Sequence, residues 1–127
     1  MVQMLRKLMA GNRRKYPRVR TELDLAVRLP GDSQPVQVRT RNLSASGMEV
    51  IFPHAVRVLT KVDVRIDLED GDDPVQIQGQ VTRSIPIRSL WDRVRSQGER
   101  YAVGVNFVDL EHPLRARIIR YLQEGNS

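Results

Sequence analysis

From Leu23 onward the apolar residues fall on every second position. Leu23, Leu25, Val27 and Leu29 alternate with Asp24, Ala26 and Arg28. This is the period of a strand with one face in a core and one in water. Val36, Val38 and Thr40 alternate with Gln37, Arg39 and Arg41 and predict a second strand. Between them Pro30-Gly31-Asp32-Ser33 is a turn, since proline fixes φ and glycine admits positive φ, and the two strands form a hairpin. Residues 42–47 turn the chain into a third strand over 48–52. Val62, Val64, Ile66 and Leu68 predict a fourth, followed by an acidic turn over 69–74. Val75, Ile77, Gly79 and Val81 predict a fifth running to about Ser84, with Gly79 marking a bulge or sharp bend. Residues 101–108 are a sixth, with Val103, Val105 and Phe107 on one face.

The two ends follow a helical period. Val2, Leu5, Leu8 and Met9 predict a short amphipathic helix over residues 2–10, stopped by Gly11-Asn12. Leu114, Ile118 and Leu122 recur at i, i+4 and i+8, with Ile119 and Tyr121 widening the face, and predict a C-terminal helix. Pro86 and Gln97-Gly98 interrupt the stretch between the last two strands. There residues 89–94 are either one helical turn or the excursion of a long hairpin, and Trp91 reads as cover for the core. Six short strands and then a helix predict a mainly β fold, a six-stranded antiparallel β-barrel. Closure removes unpaired edges, and the helix either plugs one end or pairs with another chain.

A length of 127 residues fits one domain. Its parts are an N-terminal helix and arm over 1–12, the barrel with its helix over 13–124, and a tail over 125–127. No apolar stretch approaches the ~18 residues of a membrane span, so no membrane insertion is expected. The first ten residues lack a signal peptide's apolar centre. The absence of cysteine removes disulfides and thiolate chemistry and fits a cytoplasmic location.

The charge distribution changes this picture. Residues 1–20 carry seven basic side chains and no acid, whereas the remainder carries fourteen basic and fifteen acidic. The net +6 therefore sits on an N-terminal arm joined to a nearly neutral body. Such an arm is either a solvated tail or a segment that meets an anion.

The second alternative gains from the chemistry of two short runs. In Arg13-Arg14-Lys15-Tyr16-Pro17-Arg18 the guanidinium groups are forks that can bind phosphate or the O6/N7 edge of guanine, and that stack on purines. Pro17 biases Tyr16 toward an extended state, spacing Arg14 and Arg18 by up to roughly 13 Å. In Asn42-Leu43-Ser44-Ala45-Ser46-Gly47 the amide and hydroxyl groups can accept from and donate to a base. Gly47 admits either the close approach of a flat ligand or a positive φ at the start of a strand. Alone this run is an ordinary turn. Together the two runs suit a small, doubly anionic, guanine-bearing ligand.

An enzyme is not expected. His54 and His112 are isolated beside Pro53 and Pro113, no Cys/His/Asp cluster has metal-ligand spacing, and Ser44 lacks the preceding glycine of a nucleophile elbow.

Arg14-x-x-x-Arg18 followed by Asn42-x-Ser44-x-x-Gly47 resembles the PilZ domain family, and Gly104-Val105-Asn106-Phe107 before a helix is similar to the family's closing pattern. The resemblance covers about residues 13–124. It implies a cyclic di-GMP receptor with no cofactor. Arg14 and Arg18 would grip guanine and phosphate, and Asn42, Ser44 and Gly47 would form the barrel half of the site. Asn42 stands where the family more often has Asp, leaving one acceptor oxygen instead of two. Arg13 implies a stacked ligand dimer, and Ser46 and Arg83 are further ligand candidates. Ligand would clamp the arm to the barrel and alter the surface shown to a downstream protein partner. The alternatives are a nucleic-acid-binding small barrel and a ligand-free adaptor. A nucleic acid polymer is disfavoured by 5% aromatic content and by a body that is not basic.

Overall fold

The computed structural model describes residues 19–87 and 100–125. Seven strands are present: β1 (Val19–Arg20), β2 (Asp24–Arg28), β3 (Val36–Leu43), β4 (Gly47–Phe52), β5 (Lys61–Ile66), β6 (Val75–Pro86) and β7 (Tyr101–Val108). One helix follows, α1 (His112–Gly125). All pairings are antiparallel, in the order β1-β3-β2-β5-β6-β7-β4, and a β3–β4 pairing closes strands β2 to β7 into a six-stranded barrel. The expected arm helix over 2–10, Arg13, Arg14, Arg18 and residues 89–94 with Trp91 lie outside the described residues.

The alternation sets the barrel's interior. Leu25, Val27, Val38, Met48, Val50, Phe52, Val62, Val64, Ile66, Val75, Ile77, Val81, Val103 and Val105 are all buried in one cluster. Ile118 and Leu122 of α1 join it, with Leu114 and Tyr121 packed at its edge, so the apolar stripe of the helix covers the barrel rather than standing free. Arg117 fastens the helix through two guanidinium nitrogens to the Asp70 carboxylate, at 2.9–3.2 Å, and to the Asp73 carbonyl at 2.9 Å. The acidic turn is thus the helix's anchor.

That anchor has a pH signature. The Arg117 hydrogen bonds hold the Asp70 carboxyl below its ordinary 3.8. A carboxyl lowered in the folded state stabilises the fold above its unfolded value, and the contribution disappears as pH falls through the folded one. Arg117→Gln should therefore lower stability in urea by a constant amount above about pH 5, with the gap to wild type closing below pH 4. A gap independent of pH down to 2 would contradict the pairing.

The structure departs from the periodicity at four places. β3 continues through Asn42 and Leu43, which the sequence reading assigns to the turn, because β4 pairs with them on one side (Asn42↔Glu49, Leu43↔Met48) and β1 on the other (Val19↔Leu43, Arg20↔Asn42). β5 ends at Ile66, before Leu68. β6 continues through Pro86, which faces Tyr101 at the strand's last pair, where a missing N–H matters least. Gly79 keeps regular register with Val62 and Phe107, and its role is space, since a Cβ there would sit 2.5 Å from the Val105 Cγ1. The bulge of β6 falls instead between Val81 and Arg83.

The link from β1 to β2 is held by one buried hydroxyl. Thr40 Oγ1 donates to the Thr21 carbonyl at 2.6 Å and accepts from the Leu23 N–H at 2.8 Å. Thr40→Val keeps the shape and leaves both backbone groups unpaired, which costs about 1–3 kcal/mol. Chemical denaturation should show that loss, and an unchanged midpoint would contradict it.

Candidate functional site

The Asn42–Gly47 run closes β3 onto β4. The Ser44 hydroxyl is buried and accepts from the Ser46 N–H at 3.1 Å and the Gly47 N–H at 3.2 Å. The Ser44 N–H donates to the Gly47 carbonyl at 2.9 Å, and the Ser46 carbonyl accepts from the Phe107 N–H at 2.9 Å. Ser44 therefore shapes the turn from inside, and Ser46, whose hydroxyl lies 3.1 Å from that of Ser44, is the more exposed of the two. Gly47 has neither a positive φ nor an open face. A Cβ there would overlap the Val105 carbonyl of β7, so the close approach it permits is to the protein's own strand.

Asn42 is half-buried and opposite Glu49 across β3 and β4. Glu49 is opposite Gly104 on β7, and Gly104 is opposite Arg83 on β6. Arg20, Asn42, Glu49, Gly104 and Arg83 thus form one cross-strand row, with the inward Met48, Val50, Val103 and Val105 alternating beside it. Arg83, only a candidate from sequence, is brought to the row by the β6 bulge, with its guanidinium on the Glu49 carboxylate.

The arm reaches this row directly. Val19 pairs with Leu43, the middle residue between Asn42 and Ser44, and Arg18 is its chain neighbour. Thr21 donates its N–H to the Arg41 carbonyl at 3.3 Å. Thr21 also hydrogen-bonds Tyr121 of α1, whose phenol is raised from its ordinary pKa by burial and by Glu69. The root of the arm is therefore tied both to the motif strand and to the helix.

Among the described residues, surface grooves of about 550 and 490 Å³ lie along β2, β5 and β6 and at the barrel end near Gly31 and Asp109. Neither is lined by the row. Among the described residues no group of three or more acidic or histidine side chains is arranged to hold a metal, and no helix is long and apolar enough to cross a membrane. His54 lies edge-on to Phe52 with its Nδ1 3.0 Å from the Ala55 carbonyl.

The PilZ domain family model matches residues 12–124, nearly the whole chain. The chain belongs to the PilZ domain family. Comparison with curated protein sequences gives no match. Among solved structures, the PilZ domain of YcgR from Escherichia coli with c-di-GMP is similar at a TM-score of 0.69 and 14% identity, over 88% of this chain and 90% of that one. The Bacillus subtilis inhibitor of motility MotI/DgrA has a TM-score of 0.67 and 15% identity, over 89% of this chain and 51% of that one. The K. pneumonia MrkH–c-di-GMP complex has a TM-score of 0.66 and 15% identity, over 89% and 52%. The chain thus spans about half the length of MotI/DgrA and MrkH and nearly all of the YcgR domain. At these identities the likeness is one of fold.

Sequence reasoning missed Glu49, Arg41 and Gly104 as parts of this PilZ surface. Glu49 alternates correctly for an outward position, so periodicity makes it a solvated strand residue. Its burial, 8% exposed, comes from two arginines of other strands lying against it.

Proposed function

We propose that this PilZ domain is a receptor for cyclic di-GMP, bound between the N-terminal arginines and the outer barrel row at Asn42. The observation that carries the reading is the pairing of β1 with the motif strand, which puts the chain immediately after Arg18 beside Asn42 and Ser44. Family membership and the c-di-GMP named with YcgR and MrkH support it.

Arg14 and Arg18 supply forks for phosphate and for the guanine O6/N7 edge. Asn42 offers an amide oxygen to the guanine N1–H and N2–H, and Gly47 keeps the turn close to β7. Ser44 acts by fixing the turn's backbone, with Ser46 as the more exposed hydroxyl. Arg13 adds a third fork, suited to a second ligand stacked on the first. A ligand with two phosphates offsets the repulsion among the arm's seven cations and lowers the free energy of the docked arm. Docking changes the surface presented to a protein partner and makes the arm the switch. The function is binding rather than catalysis, in the cytoplasm.

Hydrogen exchange with and without cyclic di-GMP tests the reading and the switch together. We expect protection in residues 1–20 and at 42–49. Protection at 42–49 alone would keep the receptor and reject the clamp. Protection in neither would reject both.

A further inference from the structure

Two bulges flank Glu49, and each delivers an arginine to it. The register of β3 against β4 slips between Thr40 and Asn42, leaving Arg41 as the extra residue beside Glu49. The register of β6 against β7 slips between Val81 and Arg83, turning Arg83 to the same outer face. A bulge re-aims a side chain that regular pairing would send elsewhere. Arg83 Nη2 bonds Glu49 Oε2, and Arg41 Nε lies 3.5 Å from Glu49 Oε1. The two oxygens of one carboxylate thus serve arginines from opposite sides.

The lane between Arg83 and Glu49 exists because Gly104 has no side chain. A Cβ there would be 3.0 Å from the Arg83 Cγ and 3.2 Å from its Nε. Arg83 therefore lies across the Gly104 backbone to reach Glu49. Exposure sorts the roles of the three charged groups. The Glu49 side chain is 11% exposed, whereas those of Arg41 and Arg83 are 52% and 44% exposed. A molecule arriving at the row meets the two guanidiniums and not the carboxylate beneath them. The trio carries a net positive charge, and each guanidinium has donors beyond those that Glu49 takes.

We propose that Arg41 and Arg83 are a second cationic jaw for the anionic purine ligand, on the barrel side of the site, and that Glu49 is the positioning residue that holds both. The inference rests on the receptor reading, adds Arg41 and Glu49 to it, and gives Arg83, already a ligand candidate, its partner and its support. The jaw supplies arginines already oriented by Glu49, so less freedom is lost when they engage phosphate or stack on a base. Its location beside Asn42 also offsets the single acceptor oxygen there, by adding donors for the guanine O6/N7 edge.

The test is a calorimetric cycle on the full chain titrated with cyclic di-GMP, using wild type, Glu49→Gln, Arg41→Ala/Arg83→Ala, and the triple variant. Removing the jaw should weaken binding about tenfold or more, within the range of base–arginine and base–aromatic stacking. Glu49→Gln should weaken binding in the wild-type background and have little further effect once both arginines are gone, because it acts through them. Thermal unfolding of each variant separates this from loss of fold. Wild-type binding with an unweakened double variant overturns the jaw and leaves the receptor standing. Equal losses from Glu49→Gln in both backgrounds overturn the positioning role. No binding by wild type overturns receptor and jaw together.

Discussion

Arg18→Ala should weaken cyclic di-GMP binding by about 100-fold while leaving the thermal stability of the free protein unchanged. Arg18 immediately precedes Val19, the first of the described residues, whose backbone is paired in the sheet. Of Arg13, Arg14 and Arg18 it is therefore the one whose distance from Asn42 is most constrained by the chain. A fork bound to phosphate or guanine contributes about 2–3 kcal/mol as a charge-assisted hydrogen-bonded group. At about 1.4 kcal/mol per factor of ten this is roughly 30- to 150-fold. Arg18→Lys should recover a minor part, because an ammonium supplies the charge without the planar fork. A loss within threefold of wild type would remove Arg18 from the site.

The second large effect is on stability. Gly47→Ala should lower the melting temperature by roughly 10 °C, from a loss of about 2–3 kcal/mol. The added Cβ overlaps the Val105 carbonyl and comes within 3.3 Å of the Asn106 Cα, both backbone atoms of β7. Neither can swing aside as a side-chain tip can, so β4 and β7 must separate where Gly47 pairs with Asn106. The same strain reaches the Ser44 turn, since Ser44 bonds both the N–H and the carbonyl of Gly47. Binding should fall with stability. A variant that melts within 2 °C of wild type would show the turn to be more compliant than the packing implies. Arg18 and Gly47, both members of the motif pair, are thus expected to separate: Arg18→Ala should affect affinity alone, and Gly47→Ala the barrel.

The barrel was legible because its strands have one wet and one dry face. Alternation then names the inward residues, and those of β2, β5 and the first half of β6 are buried as the period requires. Periodicity carries no information about register, and the site is made by register. The extension of β3 through Asn42 is paired on one side by β4 across a bulge and on the other by β1, a two-residue strand too short to leave a pattern. Alternation already puts Arg41 outward, but the two bulges each shift the outward positions by one, so Asn42 and Arg83 could not be assigned to the face of Glu49 from spacing alone. Thr40 did leave a trace, as a polar residue in an inward position of an otherwise apolar set. A buried hydroxyl there had to find partners, and it found Thr21 and Leu23. The Asn42–Gly47 run is an ordinary turn alone and ligand chemistry only beside the arginines, and in the structure Ser44 and Gly47 are first of all the means by which β3 and β4 join and close onto β7.

The central claim is that cyclic di-GMP is the ligand, and calorimetric titration of the wild-type chain tests it most directly. Cyclic di-GMP should release heat at one or two molecules per chain. Two would place a stacked pair against Arg13, and one would restrict the arm to a single ligand. Affinity should fall with added salt, as phosphate neutralisation requires. Single-stranded DNA at moderate salt should give no comparable signal. No heat with cyclic di-GMP, or stronger binding to single-stranded DNA, would contradict the account.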